Sequence, residues 1–274
     1  MNPLKKLNKR IKKTSTFLCV GLDSDISKLP KRFLSQKYPQ FEFNRWIIEQ
    51  THPFVCAYKP NFAFYEARGE RGWSELAMTT SYIINEHPDI FLIADAKRAD
   101  IGSTNEGYVT AIFDQLGFDA VTLNPYLGKE ALEPFLSRKD KVSIILCKTS
   151  NSGSGEIQDL LVDGQPLWQY LAKQVTEKWN KLDNCMLVVG ATYPHELKKI
   201  RQIVGEMPLL VPGVGEQGGD LEAVLQMGVN QQGKGLVINS SRGVIFADDP
   251  GAEVGKLSKL MNSFMLNDDE KLSS

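Results

Sequence analysis

The chain has 274 residues, of which 42% are hydrophobic and 24% are charged, and its formal net charge is −1. This length suits one domain over 1–274, and the near-zero charge gives no reason to expect nucleic acid or an anionic membrane as a partner. No apolar run approaches the ~20 residues of a membrane span, and no signal-peptide core follows the basic N-terminus. These limits predict a soluble, cytoplasmic protein.

The first predicted element is an amphipathic helix over about 3–13, in which Leu4, Leu7 and Ile11 stand at helical spacing. Eight short runs follow that are apolar nearly throughout, as in strands covered on both faces. They are 17–22, 54–58, 90–94, 120–123, 142–147, 186–189, 209–211 and 235–238. A stretch with helical periodicity follows each run, from 43–51 to 254–265. The polar tail after about residue 267 is predicted to fray.

Eight strand–helix units in strict alternation predict an α/β fold, a single (β/α)8 TIM barrel. The competing doubly wound sheet would need a GxGxxG motif after the first strand, and the sequence there, GLDSD at 21–25, does not match. The Ser- and Gly-rich segment 150–164 is long for a connection between a strand and a helix. It is therefore predicted to be an active-site loop.

Ionisable residues stand at the ends of the first three predicted strands: Asp23, then Lys59, then Asp95 with Lys97. Side chains alternate along a strand, so Asp95 and Lys97 are predicted to share the face at the barrel mouth, with Asp100 on the following turn. Such a pair can be a strand-end ion pair that merely neutralises itself. Several charges in a water-poor mouth cost stability, however, so the pattern favours a catalytic role.

The loops after strands 7 and 8 form the usual phosphate site of such barrels. Residues 212–220 contain four glycines, whose backbone N–H groups can bind an anion, and NSSRG at 239–243 supplies Arg242. Either motif alone could be an ordinary glycine-rich turn or a surface arginine. Together they indicate a phosphorylated ligand. The four cysteines and three histidines have no metal-ligand spacing, so reduced thiols and no metal site are predicted.

The segment DAKRAD at 95–100 resembles the Asp-x-Lys-x-x-Asp signature of the orotidine 5′-phosphate decarboxylase family. The flanking sequence 93–104 is similar to the longer bacterial branch of that family. Four further motifs share this resemblance: YKPN at 58–61, NPYLG at 124–128, PGVGEQGG at 212–219 and NSSRG at 239–243. The resemblance covers about 17–250, nearly the whole chain.

This resemblance implies a homodimeric barrel without metal or organic cofactor, which converts orotidine 5′-phosphate to UMP and CO2 in de novo pyrimidine synthesis. It implies that Lys97 donates the proton to C6 and that Asp95 lies beside the substrate carboxylate. Lys59 would hold Asp95 and a ribose hydroxyl in place. Asp100 would reach into the partner's site, together with Ile101 and Thr104.

Further substrate contacts are implied at matching positions. They are Asp23 on the ribose, Ser150 on the pyrimidine, Gln217 in a lid between pyrimidine and phosphate, Arg242 on the phosphate, and Pro212 and Ser241 beside it. The shorter branch of the family has glycine where this chain has Ser241. The backbone N–H remains there, so phosphate binding is expected to persist.

Two other functions remain to be weighed. Related barrels that act on sugar phosphates resemble the same signature but bind Mg²⁺ through a strand-end carboxylate, whereas the second strand here ends in Lys59. A non-catalytic nucleotide-binding protein on the same barrel is the second alternative. The intact set of Lys59, Asp95, Lys97 and Asp100 argues against it.

Overall fold

The computed structural model describes residues 3–214 and 218–271. Eight parallel strands close into a barrel in which each strand pairs with its neighbours in chain order and the eighth pairs with the first. The strands are β1 Leu18–Gly21, β2 Ala57–Lys59, β3 Phe91–Arg98, β4 Ala120–Leu123, β5 Val142–Lys148, β6 Cys185–Val189, β7 Leu209–Pro212 and β8 Leu236–Ser240. The predicted TIM barrel is confirmed.

Helices stand between the strands and cover the outside of the barrel. Their bounds are Pro3–Thr14, Lys31–Leu34, Pro39–Thr51, Ala63–Glu66, Gly69–Glu86, Gly102–Val109, Gly128–Leu136, Gly155–Gln158, Leu167–Gln174, Pro194–Val204, Leu221–Gly228, Arg242–Ile245 and Pro250–Lys271. The π-helical turns Thr110–Gln115 and Val175–Trp179 continue two of them. Within the two described ranges, no helix combines the length and apolar character needed to cross a bilayer.

The last helix runs from Pro250 to Lys271 and so includes the start of the polar tail. The fraying predicted after about residue 267 stays a prediction. Once a helix is nucleated, each added residue contributes one further backbone hydrogen bond, so a polar segment can extend it.

The N-terminal helix closes the end of the barrel opposite the active-site loops. Its Leu7 is buried in the core, and its buried Arg10 donates to the backbone oxygen of Val55, 2.9 Å away, just before β2. Arg10 also pairs with Asp89 at 2.8 Å, before β3, and Lys6 pairs with Asp119 at 2.7 Å, before β4. These contacts all lie at the N-terminal ends of strands, which leaves the C-terminal ends open for a site.

The segment predicted as a long loop after β5 has structure of its own. It contains a 3-10 turn at Ser152–Ser154, the short helix Gly155–Gln158, and a two-stranded antiparallel hairpin of Leu161–Val162 with Gln165–Pro166. It therefore stands over the end of β5 as a folded lobe.

Candidate active site

A cavity of about 1180 Å³ opens at the C-terminal ends of the strands. The charged groups predicted at the ends of β1, β2 and β3 all line it, as do residues that follow β7 and β8. In TIM barrels this end carries the active site. The predicted site residues on its wall are Asp23, Lys59, Asp95, Lys97, Ser150, Pro212, Ser241 and Arg242.

Asp95 forms the centre of a three-charge chain. Its Oδ2 accepts a hydrogen bond from Lys59 Nζ at 2.8 Å, and its Oδ1 accepts one from Lys97 Nζ at 2.6 Å. Thr122 Oγ1 donates to the same Oδ1 at 3.1 Å. Lys59 is 4% exposed and Asp95 11%, whereas Lys97 is 50% exposed. The carboxylate is thus held on both oxygens, and one ammonium reaches open space.

Burial and charge act in opposite directions on this pair. Burial would raise the pKa of Asp95, but the charges of Lys59 and Lys97 outweigh it and hold that pKa well below its ordinary value. Burial would likewise lower the pKa of Lys59, but Asp95 and Asp23 outweigh it and raise that pKa. Both groups are therefore charged at neutral pH, although they are buried.

Lys97 reaches Asp95 from an unusual backbone conformation. Its φ is +48°, in the left-handed region, and the pairing of β3 with β4 shifts register between Ala94 and Arg98. Its N–H donates to Thr122 Oγ1 at 2.9 Å. For a residue with a Cβ this conformation costs roughly 1–2 kcal/mol, and such strain clusters at functional sites. Strand alternation predicted the closeness of Asp95 and Lys97, but an irregularity in the strand produces it.

Asp23, which follows β1, is held from the end of the neighbouring strand β8. Ser241 Oγ donates to its Oδ2 at 2.6 Å. Its Oδ1 is buried, and no group in the described part of the chain donates to it. That oxygen can accept from a ligand hydroxyl. Gly21 makes room for this arrangement, because a Cβ there would collide with Ser241 Oγ and lie 2.9 Å from Ser241 Cβ.

The two loops predicted to bind phosphate begin side by side because β7 and β8 are paired, with Pro212 opposite Asn239. Pro212 and Gly213 line the cavity beside Ser241 and Arg242. Gly213 has a φ of +95°, which glycine adopts without strain. Gln217 lies outside the described residues.

Asp100, Ile101 and Thr104 are the predicted residues that do not line this cavity in the described chain. Asp100 Oδ1 accepts from the Ile101 N–H at 2.6 Å, and the Asp100 N–H donates to Asn105 Oδ1 at 2.9 Å. Ile101 is 63% exposed, and Tyr126 on the neighbouring loop is 83% exposed. The segment after β3 thus presents apolar surface outward.

Ser150 lines the cavity at the end of β5, between Thr149 and Asn151. A Cβ at Gly190, after β6, would lie 2.8 Å from Ser150 Cβ and 2.9 Å from its backbone nitrogen. The sequence alone does not identify Gly190, Gly21 or Thr122, because only their partners across the fold give them a role. Among the described residues, no cluster of three or more His, Cys, Asp or Glu side chains could hold a metal ion.

Comparison with known proteins gives consistent matches. The model of the "Orotidine 5′-phosphate decarboxylase / HUMPS family" matches residues 16–257. The orotidine 5′-phosphate decarboxylase of Cellvibrio japonicus is 46% identical over 251 residues, which cover 91% of each chain. That of Christiangramia forsetii is 46% identical over 270 residues, 97% of this chain and 98% of the relative. The structure of Leishmania donovani OMP decarboxylase superimposes with a TM-score of 0.87 at 37% identity, covering 97% of this chain and all of that one.

Proposed function

We propose, from the premise that this chain belongs to the orotidine 5′-phosphate decarboxylase / HUMPS family, that it converts orotidine 5′-phosphate to UMP and CO2, the last step of de novo pyrimidine synthesis. The main support for the proposal is that the linked charges of Lys59, Asp95 and Lys97 lie in the same cavity as Arg242. The cavity therefore holds both a cation for the reacting carbon and a cation for a phosphate. The names of the curated relatives agree with this assignment.

Lys97 is the proton donor in this proposal. Loss of CO2 from C6 leaves an electron pair in an sp² orbital that the ring π-system cannot delocalise. An ammonium beside C6 stabilises that charge as it develops and then transfers a proton to the carbon. The half-exposed Lys97 Nζ suits this role because it is held 2.6 Å from Asp95 Oδ1 and lies on the wall of the cavity.

The remaining buried charges position the substrate. Asp95 would lie beside the carboxylate that leaves, and Lys59 would fix Asp95 while donating to a ribose hydroxyl. The undonated Oδ1 of Asp23 would accept from the ribose. Ser150 would contact the pyrimidine.

Arg242 would bind the phosphate through its guanidinium, with Pro212 and Ser241 beside it. Gln217 is proposed to close over the nucleotide between pyrimidine and phosphate. Because the phosphate is remote from C6, its binding energy can support closure and the exclusion of water from the reacting carbon.

The active unit is proposed to be a homodimer in which Asp100, with Ile101 and Thr104, enters the partner's site. This arrangement is supported by the exposed apolar side chains of Ile101 and Tyr126 near the half-exposed Lys97, since a partner chain could cover them. Mixing inactive Lys97→Ala and Asp100→Ala chains tests it. In a hybrid dimer one site retains both residues, so random exchange should restore about a quarter of wild-type activity. No recovery, with exchange verified by mass, would contradict the shared site.

The decisive assay is the absorbance loss of orotidine 5′-phosphate on adding the purified protein. Activity that persists in EDTA would agree with the metal-free reaction proposed here. That reaction is supported by the end of β2, where the ammonium of Lys59 stands in place of a carboxylate that could bind Mg²⁺. Activity that EDTA abolishes would contradict the metal-free reaction and indicate a metal-dependent site like that of the related sugar-phosphate barrels. Binding of UMP without turnover would favour the non-catalytic alternative.

We also propose that the protein is cytoplasmic. All four cysteines are buried as free thiols, and burial raises the pKa of Cys19 to about 12, so this thiol is protonated. Reduced cysteines of this kind are typical of cytosolic proteins.

A further inference from the structure

Lys148, the last residue of β5, has no part in the function proposed above, and it is not among the described residues that line the cavity. Its side chain is 1% exposed. Its Nζ donates to both carboxylate oxygens of Asp159, at 2.7 and 2.9 Å, and lies 4.6 Å from the centre of the Tyr193 ring. A buried ammonium is unfavourable unless it is paired, so this bidentate contact secures the position of Asp159.

The neighbouring residues of this pair are also bonded to each other. The Thr149 N–H donates to Gln158 Oε1 at 2.9 Å, and Gln158 Nε2 donates back to Thr149 Oγ1 at 2.8 Å. Lys148 and Thr149 are consecutive, as are Gln158 and Asp159, so four hydrogen bonds tie the two ends of residues 150–157 together. We call Lys148, Thr149, Gln158 and Asp159 the β5 clamp.

Ser150 and Asn151 directly follow the clamp residue Thr149 and line the cavity. On the other side, the Gly190 N–H donates to the Lys148 backbone oxygen at 2.7 Å, and the Gly190 backbone has no space for a Cβ against Ser150. Ser150 is therefore confined between Gly190 and the clamp. Without the clamp, Ser150 would be held on the Gly190 side alone, so we expect a change in the clamp to alter its position.

We propose that Lys148 is a positioning residue that acts through Asp159 to set the place of Ser150 at the pyrimidine end of the site. The inference rests on the proposed function, in which Ser150 contacts the pyrimidine. The phosphate end is built by β7 and β8 instead. Loss of the clamp should therefore weaken recognition of the base and leave recognition of the ribose phosphate unchanged.

The experiment compares two ligands by titration calorimetry on the full chain: UMP, and ribose 5-phosphate, which lacks the base. Lys148→Met removes the charge and keeps a long apolar side chain. It should raise the dissociation constant of UMP roughly tenfold and leave that of ribose 5-phosphate within about twofold. Lys148→Arg keeps the charge and should recover most of the UMP affinity. KM for orotidine 5′-phosphate should rise more than kcat falls.

Asp159→Asn keeps the inference testable if Lys148→Met does not fold, because Asp159 is half exposed, its replacement leaves no cavity, and the Asn Oδ1 can still accept one hydrogen bond from Lys148 Nζ. It should change UMP affinity in the same direction, and the double variant should be no worse than the poorer single variant. Lys141→Met is the matched control. Lys141 precedes the other end of β5 and donates to the Phe118 backbone oxygen, so both affinities should stay at wild-type values.

Equal weakening of both ligands, or wild-type UMP affinity in Lys148→Met and Asp159→Asn, would overturn the positioning role. If the wild-type protein neither bound UMP nor decarboxylated the substrate, the proposed function would fail instead. The two failures are therefore distinguishable.

Discussion

Replacing Lys59 with Met tests whether the buried charges depend on each other. Removing one partner of a buried ion pair costs about 3–5 kcal/mol, because the other charge stays buried. Lys97 still contacts Asp95 at 2.6 Å, so we expect the lower end, about 3 kcal/mol. In a protein near this size that loss lowers Tm by roughly 6–12 °C.

The loss should depend on pH. Although burial opposes it, the lysines hold the pKa of Asp95 below its ordinary value. The carboxylate therefore contributes stability that is present above its unfolded pKa, about 3.9, and is lost as the pH falls through the folded value. Lys59 has a raised pKa, so its contribution is present below about 10.4 and is lost as the pH rises through the folded value. The difference in the free energy of unfolding between wild type and Lys59→Met should have its full value at pH 7 and become smaller below about pH 4.

Urea unfolding of both proteins between pH 3 and 8 measures this difference in the free energy of unfolding, which we expect to be about 3 kcal/mol at neutral pH. Lys6→Met is the matched control, because Lys6 pairs with Asp119 at the other end of the barrel in a more exposed contact. It should cost no more than about 1 kcal/mol. A Lys59→Met loss below about 0.5 kcal/mol, or one that does not change with pH, would refute the reasoning.

Three further substitutions test the site. Lys97→Ala should abolish turnover and leave UMP binding measurable, so appreciable activity in steady-state assays would remove Lys97 from the role of proton donor. Arg242→Ala should raise KM strongly, and a value within about twofold of wild type would count against the phosphate assignment. Gly190→Ala should lower UMP affinity several-fold, because its Cβ would lie 2.8 Å from Ser150 Cβ. Wild-type UMP affinity, measured by calorimetry, would mean that the loop moves to make room for the added Cβ without affecting UMP binding.

The barrel could be predicted because each strand is buried on both faces and therefore appears in the sequence as an apolar run. β3 shows the limit of this signal. It extends to Arg98, whereas its apolar run ends at residue 94, because Asp95 and Lys97 are polar residues within a strand. The lobe after β5 carries no periodic pattern. Its form depends on contacts between its own two ends, such as that of Lys148 with Asp159.

The charged part of the site could be predicted from strand-end positions, since the ends of parallel strands meet around one mouth. The contacts that hold these charged side chains in place could not be predicted from the sequence. Gly21 has meaning only opposite Ser241, which is distant in sequence, and Thr122 only because β4 lies beside β3. Asp100 does not line the cavity of its own chain, so its proposed role depends on the proposed homodimer.

The left-handed backbone at Lys97 sets a constraint on engineering. Glycine adopts this conformation without the penalty of roughly 1–2 kcal/mol that a Cβ brings. Lys97→Gly would therefore relieve backbone strain, but it would also remove one of the two cations that hold the buried Asp95 carboxylate in its charged form, together with the proposed proton donor. A substitution that relaxes the backbone at this residue thus acts against both the charge on Asp95 and the proposed turnover.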